Sequence, residues 1–347
     1  MKYLLVLILV VSFSSCTNYD EKMRKFDASF TKMRKITSAN VLNHELILGR
    51  PYIIHYADSS VVIYDDINDS IFTLIDLRDN NSVYHFGKRG EGNNEFLQVF
   101  SLCSLYGDSL IGVYDVYKRN LVEMNLRQIK QGNIQFPVLM QDSLMSLNIC
   151  PTQYDTYLGL GFYENNMFSL TGKHIGSRYY YEYPYRDKQE KEVKNRLRGM
   201  AYQGTLSSNK SLNRFVFAIG SAPIFSLYSV NKDKSFEFVG GYPEYKTEDT
   251  GTTRSAPMSV ANKMAFIKAY ATEKYVYLLY SGNSYKEVGV KAFNGKIIYQ
   301  LAWDATPICK FVLDFPIMNF CVSDSDDTIY ALMDKEEVEL VKYSLNL

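Results

Sequence analysis

The amino-acid sequence predicts an all-β fold, a six-bladed β-propeller of four-stranded blades. Two observations predict it: a composition biased toward aromatic residues and a strand pattern that repeats along the chain. The 347 residues are 46% hydrophobic and include 29 Tyr and 20 Phe against nine Pro and 20 Gly. Aromatic side chains favour half-buried pleated surfaces, so this bias points to strands. A polar turn followed by an alternating apolar and aromatic run occurs six times, anchored at Val61, Leu110, Tyr157, Phe215, Tyr275 and Ile329. Subtracting successive positions gives intervals of 49, 47, 58, 60 and 54 residues. A propeller blade takes roughly 40 to 50 residues, so each copy reads as one blade with loop insertions.

The N-terminus reads as an export signal. Met1-Lys2-Tyr3 is short and cationic, and Leu4 to Val11 is an apolar run too short to span a bilayer. Phe13-Ser14-Ser15-Cys16 resembles a bacterial lipobox, with Phe13 where Leu is commoner. Residues 1–16 are therefore expected to be a lipoprotein signal peptide, with Cys16 the lipidated residue and the outer membrane of the cell envelope the location. An ordinary signal peptide cut near Ser15 is the alternative. Residues 17–37 are expected to be a linker, and residues 38–347 the propeller. Asp20 and Glu21 fit either a surface-export signal or a solvated spacer.

Within the propeller region each anchor strand is followed by another after a polar turn, clearest in Ser70–Asp76 and Glu339–Ser344. The last copy ends after its third strand, and the segment from about Val41 to Leu48 is a strand candidate without a blade. Pairing the two closes the ring by an N-terminal strand and removes two open sheet edges. Residues 187–200 depart from the β pattern. Val193, Leu197 and Met200 lie at helical spacing, with Glu190–Lys194 and Glu192–Arg196 placed for i,i+4 pairing, which predicts a short helix before the fourth blade. It follows five tyrosines in the seven residues 179–185, too crowded for all to face a core.

Gly87-Lys88-Arg89-Gly90-Glu91-Gly92-Asn93-Asn94-Glu95-Phe96 lacks the Gly-Lys-Ser/Thr and the helix that a phosphate loop needs. Its glycines are expected to permit positive φ where the chain dives from an outer strand to the axis. Here the chain resembles the TolB-like six-bladed propeller lipoproteins of Bacteroidetes, related in pattern to NHL-type propellers. Their loop reads Gly-x-x-Gly-x-Gly-Pro-x-Glu-Phe, and Gly87, Gly90, Gly92, Glu95 and Phe96 match while Asn93 replaces proline. Ala201-Tyr202-Gln203-Gly204, Trp303-Asp304-Ala305-Thr306-Pro307, Leu313-Asp314 and Thr328–Leu332 extend the likeness from about residue 40 to the end. The resemblance implies the fold and carries over no catalytic residue.

Lys plus Arg equals Asp plus Glu at 38 each, which argues against nucleic-acid binding. His44, His55, His85 and His174 are scattered without metal-ligand spacing, and no Gly-x-Ser-x-Gly elbow is present. No cofactor or metal is expected, and Cys103, Cys150, Cys309 and Cys321 read as buried free thiols. The expected function is a monomeric, non-enzymatic binding or scaffolding module, attached to the membrane by its lipid anchor, with a glycan or an envelope protein as partner. Arg89, Tyr183, Tyr185, Tyr202 and Gln203 are the candidate ligand-binding residues, because tyrosine and arginine dominate binding hot spots. Two other readings stay open: a glycan hydrolase or lyase using channel carboxylates, and a sensory or assembly partner of an outer-membrane complex.

Overall fold

The computed structural model describes residues 13–42, 46–66, 69–230, 232–250 and 254–345. The expected signal sequence before residue 13 lies outside them. The chain enters through helix α1 (Phe13–Ala28), strand β1 (Met33–Ile36) and strand β2 (Ala39–Asn40). A first antiparallel meander follows, β3 (Pro51–Ala57), β4 (Ser60–Asp65), β5 (Phe72–Asp76) and β6 (Ser82–Phe86). The parallel pair β7 (Lys88–Arg89) and β8 (Glu95–Phe96) leads to a second, β9 (Val99–Ser104), β10 (Leu110–Asp115), β11 (Asn120–Asn125) and β12 (Val138–Gln141), with α2 (Leu126–Lys130) before its last strand. The third is β13 (Asn148–Pro151), β14 (Thr156–Leu160), β15 (Phe168–Gly172) and β16 (Ile175–Tyr180). Helices α3 (Lys188–Lys191) and α4 (Asn195–Ala201) separate it from the fourth, β17 (Gly204–Ser208), β18 (Arg214–Ile219), β19 (Ile224–Ser229) and β20 (Lys232–Val239).

After the ribbon β21 (Glu248–Asp249) and β22 (Arg254–Ser255) comes an eight-stranded sheet. Its strands are β23 (Phe266–Ala271), β24 (Tyr275–Tyr280), β25 (Gly295–Ala302), β26 (Pro307–Val322), β27 (Thr328–Asp334) and β28 (Val338–Ser344), joined by β1 and β2, with helix α5 (Tyr285–Val288) between β24 and β25. Strand β26 runs 16 residues because it serves two meanders. Pro307 to Val312 pair with β25, and Ile317 to Val322 pair with β27.

All six anchors fall on the second strand of a meander, in β4, β10, β14, β18, β24 and β27. These strands are covered on both faces, so they read as near-continuous apolar runs; β4 is buried at every position. Two of them end in a Tyr-Asp pair whose carboxylate receives the backbone of an entering segment. Asp65 accepts from the Gly49 and Arg50 amides at 2.5 and 2.8 Å. Asp115 accepts from Leu97, Gln98, Tyr117 and Lys118 at 2.6 to 3.3 Å. The Tyr114 hydroxyl donates to Asp142 at 2.7 Å, tying the second sheet to the loop before the third.

Three expectations are corrected. Residues 17–37 do not form a free linker: they belong to α1 and β1, which are packed on the propeller. Met23 and Phe30 are buried, and the Phe26 ring lies 4.7 to 5.9 Å from those of Phe225, Phe238, Phe266 and Tyr299. Asp27 accepts from the Tyr299 hydroxyl at 2.7 Å and pairs with Lys310 at 2.5 Å. Strand β1 then runs parallel to β26, Met33 opposite Lys310. The N-terminal strand that meets β28 is Ala39–Asn40, not Val41–Leu48, part of which (43–45) lies outside the described residues. Val41, Leu42 and Leu48 are instead core residues, and the Val41 amide donates to the Leu340 carbonyl at 3.3 Å. The helix expected over 187–200 is two helices. Lys194 has φ −49° and ψ 131°, an extended conformation that breaks the helical ladder and with it the i,i+4 pairs. Lys194 pairs with Asp249 at 2.8 Å instead.

Asp115→Ala leaves four backbone donors without their acceptor and is expected to lower stability by about 2–4 kcal/mol. Urea unfolding of the variant beside wild type measures the loss.

Candidate functional site

The first strands of five meanders, β3, β9, β13, β17 and β23, converge on an axial cavity of about 220 Å³. An innermost strand has one edge without a neighbouring strand, and its backbone groups must find other partners. Between β17 and β23 side-chain hydroxyls supply them. Thr205 Oγ1 accepts from the Ala269 amide at 2.8 Å, and Ser207 Oγ accepts from the Ala271 amide at 3.1 Å. A hydroxyl that accepts in this way keeps its own proton to donate. Gly204 opens β17 because a Cβ there would stand 2.1 Å from the Ala218 carbonyl oxygen.

Among the described residues the cavity wall carries one cationic side chain, Lys268 of β23, and no carboxylate. Lys268 is partly buried, and its ammonium makes no hydrogen bond or ion pair among the described residues. Removal from bulk water lowers its pKa from 10.5 to about 8. His55, on β3, is lowered to about 3 by burial first and then by the Lys268 charge, so it is neutral; its Nε2 lies 3.4 Å from Ser104 Oγ. Burial raises the thiols of Cys103 and Cys321 and lifts Cys150 to about 12, so none is a ready nucleophile. Cys103, Cys150, Cys309 and Cys321 are free and buried, as the sequence indicated. Ser101, also in the wall, has a buried hydroxyl without a partner.

One mouth of the channel holds Asp108, Glu273 and Asp324 around Lys210. Lys210 bridges Asp108 and Asp324 at 2.7 and 2.8 Å. That bond holds the Asp108 carboxyl below its usual range. A glycosidase needs a carboxyl whose pKa is raised so that it carries a proton, and the channel wall offers none. Burial raises the carboxyl of Asp326, near Asp324, but it accepts from the Tyr277 hydroxyl at 2.9 Å and lies outside the lining of both cavities.

The five residues singled out in the sequence are dispersed. Tyr183 and Gln203 reach the cavity wall. Tyr183 is 1% exposed, its hydroxyl donating to the Gly161 carbonyl at 3.1 Å, and Gln203 donates to the Met200 carbonyl at 2.9 Å. Tyr202 is fully buried, its hydroxyl donating to Glu190 at 2.9 Å, so it packs the core. Tyr185 is exposed, with Lys191 and Arg198 each 5.3 Å from its ring. Arg89 spends its guanidinium on the carbonyls of Asp66 and Leu97. The loop beside it is closed by its own residues: Gly87 and Gly90 have φ of 73° and 155°, and Glu95 folds back to accept from the Gly92 amide at 2.9 Å. Within the tyrosine run Tyr179 and Tyr180 are exposed along with Tyr185. Lys268 escaped the sequence reading because a lysine inside Phe266–Tyr270 reads as the polar member of an alternating strand.

A family model described as TolB-like 6-blade propeller-like matches residues 29–325. The chain belongs to this family. Solved structures share the TolB-like chain's fold at low identity. A member of the DUF4221 family from Bacteroides vulgatus is 10% identical, covers 91% of this chain and 97% of its own, and has a TM-score of 0.54. Regucalcin from Agrobacterium tumefaciens, described as a calcium-binding protein, is 6% identical, covers 91% and 95%, and has a TM-score of 0.50. No curated protein matches in sequence. Among the described residues of this TolB-like chain, no group of three or more His, Cys, Asp or Glu side chains is placed to hold a metal ion.

A lysine whose pKa is lower in the folded state binds fewer protons there than in the unfolded chain between about pH 8 and 10.5. Stability therefore rises with pH across that window, and the cost of the buried charge is fully present below it. Lys268→Met is expected to stabilise the ligand-free protein at pH 7 by roughly 2–3 kcal/mol, an advantage that disappears as pH approaches 10.5. Denaturant midpoints of both proteins from pH 7 to 10.5 test this.

Proposed function

We propose that this TolB-like propeller is an exported, envelope-anchored binding module that holds a small ligand in its axial channel and does not transform it. The observation that carries the reading is the channel wall, which among the described residues offers hydroxyls, amides and one ammonium, without a carboxylate or an activated thiol. Its 220 Å³ is below the roughly 300–1,000 Å³ of sites for drug-sized molecules, so the ligand is small. In this reading the eight-stranded sheet is two blades sharing β26, which makes six in all, and β2 is the strand that closes the ring against β28. The six sequence anchors, one per blade, support that count.

Export and lipidation of Cys16 rest on the cationic and apolar N-terminus and on the lipobox-like Phe13–Cys16. No described helix is long and apolar enough to cross a membrane, which fits attachment through acyl chains. With α1 packed through Met23 and Phe26, an anchor seven residues before Met23 sits only about 10 Å of helix away, at 1.5 Å per residue. The lipid then fixes the propeller's orientation on the membrane instead of tethering it loosely.

Purification from the native envelope under non-denaturing conditions, followed by unfolding and mass spectrometry of the released small molecules, tests the capture reading. A near-stoichiometric molecule that is recovered unchanged after prolonged incubation with the protein is the expected result. Chemical conversion of that molecule, or the release of nothing, contradicts it.

A further inference from the structure

We infer that the channel is a binding site for a small oxyanion, carboxylate, phosphate or sulfate, whose charge is met by Lys268. The inference rests on the capture reading above and names the ligand's chemistry.

Four observations lead to it. First, Lys268 is partly buried in the axial cavity and has no ion-pair or hydrogen-bond partner among the described residues. Elsewhere in the same chain, lysines with comparably shielded side chains are paired: Lys130 lies 2.5 Å from Asp76, and Lys310 lies 2.5 Å from Asp27. A shielded cation without a counter-charge is costly, and an anionic ligand removes that cost. Second, among the described residues the wall contains no carboxylate to compete for the ammonium or repel an anion.

Third, the polar groups beside Lys268 are poised as donors. Thr205 and Ser207 already accept from the amides of Ala269 and Ala271, which follow Lys268 along β23, and so retain hydroxyl protons to give. Ser101 adds a buried hydroxyl that has no partner. Fourth, the cavity is of a size for a small molecule, which excludes a peptide or a glycan chain from the channel itself. An oxyanion seated here receives charge-assisted hydrogen bonds, shorter and stronger than neutral ones.

Binding is pH-dependent in a stated direction. The titratable groups around Lys268 are His55 from β3, Cys103 from β9, Cys150 from β13, Tyr270 from β23, Cys321 from β26 and Tyr183 at the wall. His55 is neutral above about pH 3, and burial raises the three thiols and both phenols, so all six stay uncharged while the lysine titrates. Raising the pH from 7 to 9 takes the ammonium through about 8 and is expected to weaken oxyanion binding about tenfold.

Isothermal titration calorimetry with acetate, pyruvate, inorganic phosphate and sulfate, and with ethanolamine and glycerol as cationic and neutral controls, tests the inference on the full mature chain. The expected result is saturable binding of at least one oxyanion and of neither control. That binding weakens at least tenfold in Lys268→Met and in Lys268→Gln while both variants retain the wild-type circular dichroism. Carboxylate against phosphate or sulfate preference then identifies the head group. Oxyanion binding that is unchanged in both variants, or no oxyanion binding at 10 mM (about 2.7 kcal/mol short of a 0.1 mM site), overturns the inference. A neutral molecule that co-purifies equally with wild type and Lys268→Met overturns the anion assignment and leaves the capture reading standing. Absence of any retained molecule together with silent titrations removes both.

Discussion

A propeller places the innermost strand of each sheet at a common axis, where the backbone has no further strand to pair with. This constraint governs both the stability of the fold and the chemistry of its centre. Donors along such an edge must be satisfied by side chains, by water or by a ligand. In this chain hydroxyls do part of that work, Thr205 and Ser207 receiving the amides of Ala269 and Ala271. The solution settles the edge and leaves hydroxyl protons beside an axis that also holds Lys268. The polar character of the channel thus follows from the architecture, and the lysine gives it a sign.

At the periphery the same architecture is held by different means. The outer part of the fourth sheet and of the eight-stranded sheet is covered by α1, whose Phe26 joins an aromatic cluster with Phe225, Phe238, Phe266 and Tyr299. Strand β1 continues that cover by pairing with β26, and Ser38 donates twice to Asp314, at 3.0 and 2.9 Å. The residues that lead from the expected lipid anchor to the propeller are therefore part of its packing. Buried Tyr-Asp pairs link the first two sheets to the segments that enter them.

Much of this was legible in the sequence because blades repeat. Each of the six anchors lies on the second strand of its meander, where burial on both faces forces an unbroken apolar run. The continuous strand β26 was not legible, since Pro307 to Val322 satisfies two pairings with one stretch of alternating residues. Helix α1 was misread as a spacer because Glu21, Lys22, Arg24 and Lys25 mask Met23 and Phe26 in composition. Of the candidate binding residues, Tyr183 and Gln203 border the channel, whereas Tyr202 is a core residue held by Glu190. Aromatic abundance signals packing as readily as recognition, and burial alone separates the two. Lys268 carries the most chemical meaning, yet in sequence it is one polar position in a strand; its lack of a carboxylate partner among the described residues emerges only when the first strands of five meanders meet.

The chemistry of the channel turns on that unpaired ammonium. The most direct measurement is a pH titration of the Lys268 side chain by ¹³C and ¹⁵N resonance, assigned with Lys268→Arg, in ligand-free protein. A midpoint near 8, moving upward when an oxyanion binds, is what an unpaired ammonium in a shielded channel requires. A midpoint near 10.5, indifferent to added anion, would mean that the channel solvates the charge as water does and would contradict the account.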